Sequence, residues 1–202
     1  GSILNRIKNI ISKENADIII FSDFRHGIFN KSSIPILTSS IRKGTFKVAD
    51  SQVATRWGNI TEFKNFDLIT PNEREARFSL ADQDSTVGKL ADLLFQKTKC
   101  KNLILKLGSR GIICNGLKDK KKDPISIGVF SEKVLDTVGT GDALLAYSSL
   151  SLKVSNSLVI ASILGSFAAS CACEIEGNKP IKFDAIINKI KEIKKKVNYI
   201  SK

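Results

Sequence analysis

Short, wholly apolar runs alternate along this chain with stretches whose apolar residues recur every three or four positions. Ile3, Ile7, Ile10 and Ile11 have helical spacing and predict a helix over Ile3–Ser12. Ile18-Ile19-Ile20-Phe21, inside Ala16–Ser22, has no polar face and reads as a buried parallel strand. Ser33–Lys43 reads as helical after its first turn, with strands at Thr45–Ala49 and Phe66–Thr70. Pro71 and Asn72 open a helix whose first turn carries Glu73 and Glu75. Ser85–Thr98 is amphipathic, with Val87, Leu90, Leu94 and Phe95 on one side. Leu103–Leu107 and Gly111–Cys114 are strands flanking Gly108-Ser109-Arg110, and Ile125–Phe130 is a further β segment. Helices over Asp142–Leu152, Ser157–Ile175 and Phe183–Val197 finish the chain.

Such alternation predicts an α/β fold with a mostly parallel sheet covered by helices on both faces. Ligands of these sheets bind beyond the carboxyl ends of the strands. Asp23, Asp50, Asn72 and Gly108 each fall just after a predicted strand, so one sheet edge collects them, the same edge as Gly139-Thr140-Gly141. Leu158–Ile175 is long enough to suggest a membrane span. However, Ser162, Ser166 and Ser170 repeat every four residues beside Ala161, Gly165, Ala168, Ala169 and Ala172. That small-residue face fits a helix packed closely in a soluble core, and no membrane partner is expected.

The 202 residues, 42% of them hydrophobic, suit one globular domain or most of one. No secretory leader is apparent. The net charge of +12 raises nucleic acid as a partner, but its distribution argues against it. Lys118-Asp119-Lys120-Lys121-Lys122 reads as a loop tip. The lysines from Lys189 to Lys196 form the polar face of a helix whose other face carries Ile186, Ile190, Ile193 and Val197. A basic surface still draws in anions such as nucleotides and sugar phosphates. Cys100, Cys114, Cys171 and Cys173, with the single histidine His26, have no metal-ligand spacing. They read as reduced thiols of a cytoplasmic protein.

The chemistry concentrates in Asp136-Thr137-Val138-Gly139-Thr140-Gly141-Asp142, directly before the apolar run Ala143-Leu144-Leu145-Ala146-Tyr147. Glycines at a helix start leave unpaired N–H groups open to an anion. Asp142 stands beside them. Donors for a moving phosphoryl group next to a carboxylate for a hydroxyl proton are what phosphoryl transfer to an alcohol requires. A turn with an acidic residue on the helix dipole is the other reading of the heptapeptide alone.

This heptapeptide resembles the Asp-Thr-x-Gly-Ala-Gly-Asp signature of the PfkB, or ribokinase-like, carbohydrate kinases, with Thr140 in place of alanine. Thr70-Pro71-Asn72-Glu73-Arg74-Glu75 matches the family's Asn-x-x-Glu motif through Asn72 and Glu75. Leu107-Gly108-Ser109-Arg110-Gly111 resembles its Gly-x-x-Gly nucleotide loop. All three occur in the family's order. The resemblance implies a three-layer α/β/α ribokinase-like fold and ATP-dependent phosphorylation of a sugar or sugar phosphate. It makes Asp142 the catalytic base, and Gly139, Thr140 and Gly141 the anion hole. It places Lys106, Gly108, Ser109, Gly111, Thr137, Gly165 and Ser166 at the nucleotide, although the family often has asparagine near Ser166. Asn72 and Glu75 would position Mg²⁺ and phosphate through waters.

Within the family, the kinase domain of heptose 7-phosphate kinase/ADP-heptose synthase-like proteins is most similar. Phe21-Ser22-Asp23-Phe24-Arg25-His26-Gly27 resembles their Ser-Asp-Tyr-x-Lys-Gly segment, which implies substrate contacts from Asp23 and His26. Phe24 replaces a tyrosine and His26 a lysine, while Asp50-Ser51-Gln52 stands where Asp-Pro-Lys is common. The resemblance covers only the C-terminal part of the family fold, without its first strands, sugar-binding glycine motif and lid. Gly1-Ser2 has the form of a cloning remnant and methionine is absent, so a longer parent protein is expected. In longer relatives a nucleotidyltransferase domain is fused to the kinase. The isolated chain is expected to be a poor catalyst, and its open sheet edge is expected to favour a homodimer.

Overall fold

The strands β1 (Ile18–Asp23), β2 (Phe46–Ser51), β3 (Leu68–Ile69) and β4 (Asn102–Lys106) are parallel neighbours. The register pairs Ile18 with Phe46, Val48 with Leu68 and Ile69 with Leu103. This is a computed structural model of the chain, and it describes residues 2–52, 60–116 and 124–200. The lysine cluster Lys118–Lys122 lies outside the described residues. Strands β5 (Ile112–Gly116) and β6 (Ile125–Ile127) complete the sheet order β1-β2-β3-β4-β5-β6. The few residues between β4 and β5 are too short for a parallel crossover, so the sheet is mixed rather than wholly parallel. The α/β class read from the alternation holds.

Helices α1 (Ser2–Lys13), α2 (Ser33–Thr38), α3 (Glu73–Leu80) and α4 (Val87–Thr98) lie between or before these strands. The later helices are α5 (Thr140–Ser155), α6 (Leu158–Cys173) and α7 (Phe183–Ile200). The chain divides into two compact units, residues 1–107 with 113–125, and residues 108–112 with 126–202.

The first unit is built on the apolar strands. Leu68, Ile69, Leu103, Ile104 and Leu105 are fully buried. Phe21 stacks on Phe29 at 5.0 Å and meets Phe66 edge-on at 5.4 Å, while Phe63 meets Phe66 at 5.6 Å. Offset and edge-on contacts suit the ring quadrupoles. Helix α1 turns Leu4, Ile7 and Ile11 to this core and leaves Ile3 and Ile10 exposed, so its inward stripe is narrower than the spacing suggests.

In the second unit, α5 and α6 approach closely because small residues meet between them. A Cβ built on Gly165 would lie 3.1 Å from Ser148 Cβ and 3.2 Å from the Leu144 carbonyl oxygen. Ser162, Ser166 and Ser170 are all buried, as their four-residue repeat predicts. Helix α7 packs on α6 with Ile186 buried, but Ile190 and Val197 are exposed.

Element boundaries correct the sequence reading at several places, among them α2 and β6. Helix α2 stops at Thr38 rather than Lys43: the Ser39 and Ser40 hydroxyls bond the Ile36 carbonyl, competing with the helical ladder. Strand β6 stops at Ile127 rather than Phe130, whose ring instead packs 4.5 Å from that of Phe167. Among the described residues, no helix is long and apolar enough to cross a membrane.

Candidate active site

The parallel strands of the first unit bring acidic, basic and amide side chains to their carboxyl ends. Asp23 closes β1 and is buried. Its Oδ1 accepts the Arg25 backbone N–H at 2.8 Å, and its Oδ2 pairs with the Arg25 guanidinium and accepts the Ser51 hydroxyl at 3.3 Å. Arg25 has φ 63°, a left-handed turn that carries its side chain back onto Asp23. The structure therefore gives Asp23 partners within its own unit, while His26 is exposed to solvent.

One strand over, Asp50 is buried near the end of β2. The Lys106 Nζ reaches its two carboxylate oxygens at 3.0 and 3.1 Å, and the buried Thr70 hydroxyl donates to Oδ1 at 3.1 Å. Lys106 ends β4, and its N–H bonds the Pro71 carbonyl at 2.9 Å. A parallel bridge sets Lys106 beside Asn72. The pair escapes sequence reasoning because Asp50 and Lys106 meet across an intervening strand. Their only sequence signal is an acid and a base that both end apolar runs.

Asn72 caps α3 and Glu75 completes a capping box. Glu75 N–H donates to Asn72 Oδ1 at 2.8 Å. Asn72 N–H donates to Glu75 Oε2 at 2.7 Å, and Asn72 Nδ2 to Oε1 at 2.6 Å. Both residues satisfy helix-start donors. One buried carboxylate and one amide, already committed to each other, do not make the octahedral oxygen cage of a dehydrated Mg²⁺. They fit contact with a hydrated ion through its waters.

The second unit holds the glycine loop. Helix α5 begins at Thr140, two residues before the boundary read from sequence, with Gly139 as its N-cap at φ 78°. Asp142 therefore sits in the first turn rather than at the helix boundary. The Thr140 N–H is turned to the Thr137 carbonyl at 3.3 Å. Among the described residues, the N–H groups of Gly139, Gly141 and Asp142 have no acceptor. The donors open to an anion thus include that of Asp142 itself and exclude that of Thr140. The Asp142 carboxylate is half-buried and has no ion pair among the described residues.

The loop is braced from three sides. The Cys173 carbonyl accepts the Leu135 and Asp136 N–H groups at 2.8 and 3.3 Å. The Cys173 thiol touches the Thr140 hydroxyl at 3.3 Å. Asp136 accepts the Val138 N–H at 2.9 Å and the Gly177 N–H at 3.0 Å. Any Cβ on Gly139 would fall 2.3 Å from Asn178 Oδ1. Sequence reasoning missed Cys173, Gly177 and Asn178, since nothing in their local pattern marks them as partners of a loop some forty residues earlier.

The two N–H donors, Val138 first and Gly177 second, hold the Asp136 carboxyl below the usual carboxylate range. A group so lowered contributes stability that is complete above its unfolded pKa, about 3.9. That contribution is lost as pH falls through the lower folded value. Carboxyl NMR titration should place the Asp136 midpoint below about 3.9; a midpoint at or above that value would disprove the bracing.

Of the remaining predicted nucleotide residues, Gly108–Arg110 form a short 3-10 turn, with Gly108 at φ 62° and Gly111 at φ 84°. Ser109 and Thr137 are exposed. Gly165 is occupied by helix packing. The buried Ser166 hydroxyl has no hydrogen-bond partner among the described residues.

The pfkB family carbohydrate kinase profile matches residues 13–181. The chain is 23% identical over 178 residues to the bifunctional protein HldE of Pelobacter propionicus, an alignment covering 86% of this chain and 35% of that protein. It is 24% identical over 179 residues to HldE of Bradyrhizobium, covering 87% and 35%. The chain spans about a third of the length of these curated relatives. Phosphofructokinase-2 from Escherichia coli, solved with potassium, superposes with a TM-score of 0.76 at 19% identity, covering 92% of this chain and 60% of that one. Arabidopsis thaliana ribokinase, solved with ribose and ATP, gives 0.71 at 20% identity, covering 94% and 59%. These superpositions establish a ribokinase-like fold.

Proposed function

We propose that this chain, which belongs to the pfkB family of carbohydrate kinases, carries the phosphoryl-transfer residues of an ATP-dependent sugar kinase. The observation that carries this reading is the first turn of α5. Among the described residues, the N–H groups of the Gly139 cap, Gly141 and Asp142 lack acceptors, and Asp142 stands there without an ion pair. Unpaired donors at a helix start stabilise the charge of a phosphoryl group in flight. An uncommitted carboxylate beside them can align a sugar hydroxyl.

In the reaction, the sugar oxygen bonds to the γ-phosphorus as the bond to the β-phosphate oxygen breaks. The hydroxyl proton passes to Asp142 and ADP leaves. Gly139 and Gly141 supply loop donors, and Thr140 holds the loop's shape. Lys106, Gly108, Ser109, Gly111, Thr137, Gly165 and Ser166 serve the nucleotide, with the Ser166 hydroxyl, which has no partner among the described residues, available as a donor. Asn72 and Glu75 would hold a hydrated Mg²⁺, which would offset the phosphate charge. Asp23 and His26 serve the sugar.

The similarity to HldE proteins and the β1 segment favour a heptose 7-phosphate as acceptor, on the way to an ADP-heptose, within a longer chain that includes a nucleotidyltransferase. The test is ADP release by the full-length protein with ATP and Mg²⁺, screened over D-glycero-D-manno-heptose 7-phosphate, fructose 6-phosphate, ribose and a nucleoside. Turnover with the heptose phosphate is expected. Turnover confined to another acceptor would overturn the substrate. ATP binding without turnover on any acceptor would make the protein a nucleotide-binding module instead.

A further inference from the structure

We infer that Asp50 is a positioning residue that holds the Lys106 ammonium at the carboxyl edge of the sheet, where Lys106 binds a phosphate of the nucleotide. This rests on the kinase reading above and deepens it. The side chains of Asp50 and Lys106 are only 8% and 16% exposed. Removing two such charges from water is costly, and a well-packed apolar pair would serve stability as well or better. What the pair provides is a fixed ammonium. Asp50 is itself fixed by the buried Thr70 hydroxyl at 3.1 Å. Lys106 has three N–H donors. Two are accounted for by the Asp50 oxygens at 3.0 and 3.1 Å. The third has no acceptor among the described residues.

The surroundings name the ligand class. Lys106 ends β4, and parallel sheets bind ligands beyond such ends. Its bridge partner Asn72 starts α3, whose N-terminal dipole also favours an anion nearby. Only Leu107 separates Lys106 from the turn Gly108–Arg110 along the chain. A spare ammonium donor at this edge suits a phosphate oxygen rather than an adenine or a sugar hydroxyl.

Calorimetric titration of the full-length protein with ATP and with adenosine tests this, because the two differ only in phosphates. Lys106→Met leaves Asp50 buried and unpaired, so the double variant Asp50→Asn/Lys106→Met, which removes both charges, is measured beside it. Both are expected to bind ATP at least about tenfold more weakly and adenosine within about twofold of the parent. Asp50→Asn alone keeps the ammonium but loosens it. Its ATP affinity is expected to change with salt more steeply than the parent's, as for a solvated charge. Equal loss of ATP and adenosine, or unchanged ATP affinity in the double variant, would overturn the inference. So would loss of affinity for heptose 7-phosphate alone, which would move Lys106 to the acceptor. Failure of the unaltered protein to bind either ATP or adenosine would instead overturn the kinase reading.

Discussion

Asp142→Asn is expected to lower phosphoryl-transfer turnover of the full-length protein at least about a hundredfold, with ATP affinity within about threefold of the parent. The substitution changes one atom's chemistry and little else. Asparagine keeps the size of the side chain and the N–H group, so the donors of Gly139, Gly141 and residue 142 remain. What disappears is an oxygen able to receive the hydroxyl proton. A hundredfold loss corresponds to about 2.7 kcal/mol of transition-state stabilisation. Removing one charge from the first turn of α5, where Asp142 is half-buried, costs about 0.3–2 kcal/mol of stability. The two scales separate a chemical loss from a folding loss. Steady-state kinetics beside ATP titration check it: kcat should fall while the ATP dissociation constant holds. Near-normal turnover would remove Asp142 from the base role. A parallel fall in ATP affinity would make it a binding residue.

How much of this was legible in the sequence depended on whether the signal was local. The wholly apolar run Leu103–Leu105 announces a buried strand, because no face of such a segment can meet water; Ile18–Phe21 reads the same way, but it ends the strand order, with Phe21 buried and Ile20 exposed. The serine repeat of α6 announced close packing for a similar reason: only a residue as small as Gly165 fits 3.1 Å from Ser148. The Asn72–Glu75 capping box spans four consecutive residues, and both partners could be read together. Boundaries set by competition were not legible. Serine hydroxyls ended α2 early, and a ring contact with Phe167 drew Phe130 out of β6.

The site followed the same rule. The glycines and Asp142 could be found, but not the bracing that shapes them. The carbonyl of Cys173 and the N–H of Gly177 lie far along the chain and are backbone groups, which any residue type supplies. Asp50 and Lys106 are joined by strand order, and strand order is decided by packing of the whole sheet. Nothing in the sequence sets Arg25 apart as a partner of Asp23, because the pairing depends on a left-handed backbone at Arg25 itself.

Gly111→Ala is expected to cost about 3 kcal/mol of stability, against about 1 kcal/mol for Gly108→Ala. Both glycines have positive φ, 84° and 62°; Gly108 opens the short turn and Gly111 follows it. An alanine at either position must adopt a left-handed backbone, at about 1–2 kcal/mol. Their surroundings differ. A Cβ on Gly108 meets nothing within 4 Å. A Cβ on Gly111 would lie 2.0 Å from the Ile127 carbonyl oxygen, 2.9 Å from Gly128 Cα and 3.0 Å from Gly128 C. These are main-chain atoms and cannot rotate aside, so the backbone at Ile127 and Gly128 has to shift, which adds a further one or two kcal/mol. Urea unfolding of the two variants against the parent measures the difference. Equal losses would mean that Gly128 yields without cost and that Gly111 is kept only for its φ. The turn carries Ser109, so if that turn serves the nucleotide, Gly111→Ala should also weaken ATP binding in the fraction that remains folded. Gly108→Ala tests the alternative that any strain in the turn, even strain without a clash, is enough to do so.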